Sequence, residues 1–165
     1  MASKKGIGVT VIILVGVVVA SFLVYLVPED TTMKITVSDF EKHLDDVDKR
    51  TSMLSTGIEE SFGDLLDHKL SSEDYFVTAR VTQSQVNSLI IELTLSGAPQ
   101  EWTASYKTYL DALKKLNEQI TETVVIANLM KDDGDSSSVN EMISKIYELR
   151  SELQDLISES NNLRP

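Results

Sequence analysis

Cysteine is absent from the 165 residues, so neither a disulfide nor a thiolate metal site can hold this chain together, and redox chemistry says nothing about its compartment. Histidine occurs only at His43 and His68. The residues three positions before them are Phe40 and Leu65, which excludes the Glu-x-x-His pairs of two-metal helical bundles. No Gly-x-Ser-x-Gly is present, and with no thiol, nucleophilic catalysis has no recognisable motif. Asp132, Asp133 and Asp135 surround Gly134, but Glu141 follows too early for an EF-hand, so this is a polar turn. No Asn-x-Ser/Thr sequon occurs. Basic charge is also scarce. Fifteen Lys and Arg face 26 Asp and Glu, a formal net charge of −11, which makes nucleic acid and anionic lipid surfaces poor partners. The expectation is a protein that is not an enzyme and takes neither cofactor nor metal.

Against these absences stands one long apolar run, Ile7 to Val27, with no charge in it. At about 1.5 Å per residue it reaches roughly 30 Å, the thickness of a bilayer core, and reads as a transmembrane helix. Lys4 and Lys5 precede it and Glu29 and Asp30 follow, so the positive-inside rule puts residues 1–6 in the cytoplasm and the rest outside the cell membrane, a signal anchor of single-pass type. Gly8, Gly16 and Ala20 share one face of this helix and are candidates for close packing against another membrane helix. Val18-Val19-Ala20 is an alternative signal-peptidase site. Lys4-Lys5-Gly6 before Ile7 offers another alternative, because it resembles the processing signal of archaeal pilin-like proteins, cut after the glycine.

Residues 28–37 form a linker that starts at Pro28, and residues 38–165 form one extracytoplasmic domain. Four stretches of this domain carry apolar residues at alternating spacings of three and four. Ser38 with Glu41 makes a capping box, and the first seam follows as Phe40, Leu44, Val47, Thr51, Leu54, Ile58, Ser61 and Leu65, with Phe62, Leu66 and Leu70 widening it. Gly57 and Gly63 each weaken it by about 1 kcal/mol relative to Ala where exposed, with a bend or a close contact as the alternative. Ser71 starts a second helix, whose seam is Tyr75, Ala79, Thr82, Val86, Leu89 and Leu93. A tight reversal over Ser96 to Pro99 leads to the third, with Trp102, Tyr106, Tyr109, Leu113, Leu116, Ile120, Thr123 and Ala127 to Met130, and Val124 and Ile126 alongside. After the polar loop, Ser138 and Glu141 repeat the capping box, and Met142, Ile146, Leu149, Leu153, Leu156, Ser160 and Leu163 form the fourth. The fold class expected is all-α: a single N-terminal transmembrane helix followed by an antiparallel, up-down-up-down four-helix bundle. Trp102, Tyr106 and Tyr109 form the main aromatic cluster, which either caps the core at one end or presents a patch to a ligand or partner.

A membrane helix leading into an extracytoplasmic four-helix bundle resembles the ligand-binding half of chemoreceptors and sensor kinases. Such receptors return through a second span to a cytoplasmic output domain, whereas this chain is expected to end outside at Pro165. The Lys-Gly start, the valine-rich span and the acidic helical domain also look like small anchored proteins of archaea. The function expected is a non-catalytic accessory or scaffold for a protein partner in a membrane or envelope complex, with homo-oligomerisation possible. A sensor-like ligand-binding module and a pilin-like subunit processed after Gly6 stay open beside it. A scaffold calls for a filled bundle with an apolar outer patch, and a binding module for a polar-lined cavity between helices.

Overall fold

The computed structural model describes residues 37–131 and 136–165, with side chains of the last helix described from residue 139. The span at 7–27 with Gly8, Gly16 and Ala20, the linker before residue 37, and the loop at 132–135 lie outside the described residues. Among the described residues no helix is long and apolar enough to cross a membrane. The chain divides into two units, and the helices below belong to the unit Lys34–Pro165. This unit is all-α: α1 Phe40–Leu66, α2 Ser72–Leu95, α3 Thr103–Lys131 and α4 Ser136–Asn162 pack together around one core.

The first cap is shifted from its expected place. Asp39, not Ser38, takes the extended backbone before α1, and its carboxylate accepts a hydrogen bond from the Lys42 N–H at 3.0 Å. Both residue types cap well, but the carboxylate also meets the positive end of the helix dipole. Leu44, Val47, Thr51, Ile58, Phe62 and Leu65 are buried as their spacing requires. An added Cβ at Gly57 or Gly63 would meet no atom within 4 Å, so both glycines face open space and make no close contact. α1 stops at Leu66, short of the expected Leu70. His68 turns into the left-handed region at φ 58°, and the N–H groups of Lys69 and Leu70 both donate to the Asp64 carbonyl. Leu70 therefore packs on the core from the turn.

Ser71 caps α2 by accepting from the Asp74 N–H at 3.1 Å, and all six expected seam residues of α2 are buried. Gly97 adopts φ +64°, the conformation that ends a helix most cheaply in glycine. The reversal is longer than expected. The Trp102 N–H donates to the Pro99 carbonyl, and α3 begins only at Thr103. α4 begins at Ser136, ahead of the expected cap at Ser138. At its far end Leu163 lies beyond the helix and is exposed instead of completing the seam.

α3 is the centre of the unit and buries two stripes. The expected one, Tyr106 to Thr123, faces inward, and a second runs at seven-residue intervals through Ser105, Ala112, Gln119 and Ile126. α3 and α4 make the most extensive contact of any helix pair. At one end of that contact the Ser105 hydroxyl donates to the Ser160 carbonyl at 2.8 Å and the Ser160 hydroxyl donates to the Ser105 carbonyl at 2.9 Å. Small residues permit this approach, and the reciprocal bonds satisfy both hydroxyls in a dry contact. Helix α1 behaves differently. It packs on α2 and α3 but makes no close backbone contact with α4, so a cleft is left between α1 and α4.

Candidate functional site

Three features of this unit could carry function: a polar clamp at one end, the cleft beside α4, and the outer face of α2. The clamp is built where the start of α1, the end of α2 and the start of α3 meet. His43 from α1 reaches Glu92 on α2 through Nε2 at 2.9 Å and the Tyr106 hydroxyl on α3 through Nδ1 at 2.8 Å. The Tyr106 hydroxyl also donates to the Phe40 carbonyl at 3.0 Å, which ties the group to the start of α1. Arg50 completes the group, gripping Glu92 with Nη1 at 2.9 Å and Nη2 at 2.6 Å in a bidentate pair. These Arg50 bonds hold the Glu92 carboxyl below its ordinary range, against burial, with a smaller contribution from His43.

The sign of the resulting pH effect follows directly. A carboxyl whose pKa is lower in the folded state adds stability above its unfolded value, about 4.3, and that stability is lost as pH falls through the folded value. Glu92→Gln is therefore expected to cost about 2 kcal/mol at neutral pH and to flatten the acid limb below about pH 4. Denaturant titrations followed by fluorescence of Trp102, the single tryptophan, measure both.

The aromatic residues singled out in the sequence are brought together here, mostly as core. Tyr106 and Tyr109 are buried, and Trp102 is half-buried against the core with Phe40 and Tyr106 around it. Tyr109 donates to Asp48 at 2.7 Å. Sequence reasoning missed His43, Arg50 and Glu92 as a group. The available signal was that Glu92 interrupts a helix nearly free of charge, one position from the buried Leu93. Among the described residues no group of three or more His, Cys, Asp or Glu is arranged to hold a metal ion.

The cleft between α1 and α4, floored by α3, has a volume of about 140 Å³. Ile58, Phe62, Ile120, Ile143 and Ile146 give it apolar walls, and Glu59 and Arg150 form an ion pair across its edge. Gln119 lines it, is only 2% exposed, and its Oε1 has no hydrogen-bond partner. A buried amide oxygen without a partner costs about 1–3 kcal/mol, so Gln119 places one polar acceptor among apolar walls at the expense of stability.

The outer face of α2 is the least expected feature. Val77, Val81, Ile91 and Leu95 are exposed, Val77 by 65% and Ile91 by 57%. With the exposed Ser84 and Ser88 they form a second seam, 77-81-84-88-91-95, opposite the buried one and with the same alternation of four and three. From Tyr75 to Leu95 the only charges are Arg80 and Glu92, in a chain that is one quarter charged. No protein-family model, no curated protein and no solved structure matches this chain.

Proposed function

We propose that the chain is a non-catalytic, single-pass membrane protein whose helical unit is an accessory or scaffold component of a membrane or cell-envelope complex. The finer architecture belongs to the same proposal: residues 7–27 as the transmembrane anchor, the N-terminus in the cytoplasm, and an up-down-up-down bundle outside. The uncharged run flanked by Lys4 and Lys5 on one side and Glu29 and Asp30 on the other supports the anchor and its direction. The observation that carries the functional reading is the uncharged outer seam of α2. A monomer with no partner has no need of Val77, Val81, Ile91 and Leu95 in water, and each exposed apolar residue on one stripe invites association.

The test is isolation of the tagged full chain from detergent-solubilised membranes, beside the double variant Val81→Glu, Ile91→Glu. A defined complex that the wild type retains and the variant loses supports the reading. A wild-type chain that emerges alone, or a complex indifferent to the two glutamates, contradicts it. Intact mass on the same sample separates the pilin-like alternative, which would lack Met1 to Gly6.

The sensor-like reading has one observation of its own, the Gln119 Oε1 atom without a hydrogen-bond partner in its apolar cleft. A cleft of about 140 Å³ suits a ring-sized molecule with one polar group. On this reading phenol raises the Tm of the wild type and leaves that of Gln119→Met unchanged. If phenol shifts neither, the cleft is a packing defect, and Gln119→Met should stabilise the fold by about 1 kcal/mol by removing the orphaned oxygen.

A further inference from the structure

We infer that the partner on the outer face of α2 is a second copy of this chain, docked seam to seam. This rests on the interaction reading above and names its occupant. The first argument is charge. The chain carries −11 overall, so two copies repel over most of their surfaces, and they come together most readily where neither presents a carboxylate. The 77-81-84-88-91-95 seam is such a place, whereas a basic protein partner would gain nothing from choosing it. The flanking positions Gln85 and Asn87 are uncharged as well; the exposed Arg80 beside the seam is a cation and adds no carboxylate, and Asp74, one turn before Val77, marks where the uncharged stretch begins.

The second argument is shape. Along the seam the side chains read large, large, small, small, large, large: Val77, Val81, Ser84, Ser88, Ile91, Leu95. That order is the same from either end. A second copy therefore sets large against large and small against small whichever way it runs, which is the self-complementarity a two-fold interface demands. The alternation of four and three is the spacing with which two helices interlock, and the paired serines let the backbones approach at the middle. Met53 on α1 flanks the same region, sharing a groove with Gln85 and Ser88, and is itself 58% exposed. It extends the apolar contact sideways onto the neighbouring helix.

One seam on one helix is narrow beside the roughly 800 Å² per partner of a standard stable interface. The association is accordingly modest in dilute solution. Two chains anchored in one membrane meet at a far higher effective concentration, which is where such an interface would be populated.

The experiment uses the full chain in membranes. Because the protein has no cysteine, Ser84→Cys and Ser88→Cys each introduce a single thiol at the centre of the seam. Treatment with a short bis-maleimide is expected to link each variant into a dimer. Adding Val81→Glu and Ile91→Glu places charges in two apolar layers and should cut that product at least about tenfold, the change that 1.4 kcal/mol brings. A thiol at exposed Asn128, on α3, is the control and should link poorly. Absence of linkage at both serines overturns the inference, as does linkage that persists in the glutamate variants, since pairing would then come from elsewhere, such as the 7–27 run. If the serine variants stay unlinked while the glutamate variants still release a different membrane protein, the accessory reading stands and the second copy is excluded.

Discussion

Raising the pH from about 10 to about 12 is expected to remove roughly 5 kcal/mol of stability from the helical unit, enough to unfold a domain of ordinary stability. Tyr75, Tyr106 and Tyr109 are all buried. Burial pushes the hydroxyls of Tyr75 and Tyr106 up to about 12, and burial raises that of Tyr109 as well. A phenol whose pKa is higher in the folded state leaves stability intact below the unfolded value, about 10, and loses it as pH climbs toward the folded value. The unfolded chain releases these protons first, so each of the two tyrosines shifted to about 12 contributes about 2 kcal/mol to the loss by pH 12, and Tyr109 adds to it. Tyr75 donates to Thr123 at 2.5 Å, while Thr123 sends its own proton to the Ile120 carbonyl. Tyr75→Phe therefore removes a titrating group without stranding a donor, and it should move the alkaline midpoint upward. Circular dichroism and tyrosinate absorbance, recorded together, should show one cooperative transition in which helix loss and ionisation of the buried tyrosines coincide. Ionisation of all tyrosines well before helix loss would contradict the burial.

Ser105→Leu is expected to destabilise the unit by about 2–6 kcal/mol, the largest effect expected of any single substitution. Ser105 is fully buried where α3 lies closest to α4, and it exchanges hydroxyl-to-carbonyl bonds with the equally buried Ser160. Leucine adds bulk to a contact that only small residues permit, at about 1–3 kcal/mol. It also leaves the Ser160 carbonyl without the Ser105 hydroxyl and crowds the return bond, for about another 1–3 kcal/mol. Ser105→Ala separates the two terms, since it keeps the space and should cost only about 1 kcal/mol. Denaturant midpoints of the three proteins measure the split. A leucine tolerated as well as the alanine would mean that α3 and α4 stand further apart than these bonds require.

The buried half of this fold was written plainly in the sequence. The seam of α2 came out residue for residue, from Tyr75 to Leu93, because a heptad spacing with one apolar stripe has only one way to face a core. Gly97 at φ +64° was legible for a similar reason, since few residues end a helix so easily. Caps were less so. Ser38 and Asp39 are both competent, and sequence spacing alone cannot weigh one residue's dipole interaction against its neighbour's. His68 in a left-handed turn was hidden because nothing local distinguishes it from another helical residue. The second buried stripe of α3 was missed because serine, alanine and glutamine do not register as core, yet those small and polar side chains are what bring α4 close.

The polar clamp and the outer face of α2 were hidden by a different effect. His43, Arg50 and Glu92 lie on two helices, and nothing in a linear chain joins positions about fifty residues apart. The outer seam of α2 was visible in principle, as a second run at the same spacing offset by two residues from the first. Once a helix has one satisfying stripe, its remaining valines and isoleucine are easily counted as scatter. Their significance emerges only when the structure shows which face the neighbours leave uncovered.

The most direct measurement is the mass of the full Ser88→Cys chain treated with a short bis-maleimide before extraction, recorded with and without Val81→Glu and Ile91→Glu side by side. An α2 face that holds a second copy predicts twice the chain mass without the two glutamates and a single chain with them. A single chain in both, or a dimer that survives both glutamates, would contradict it.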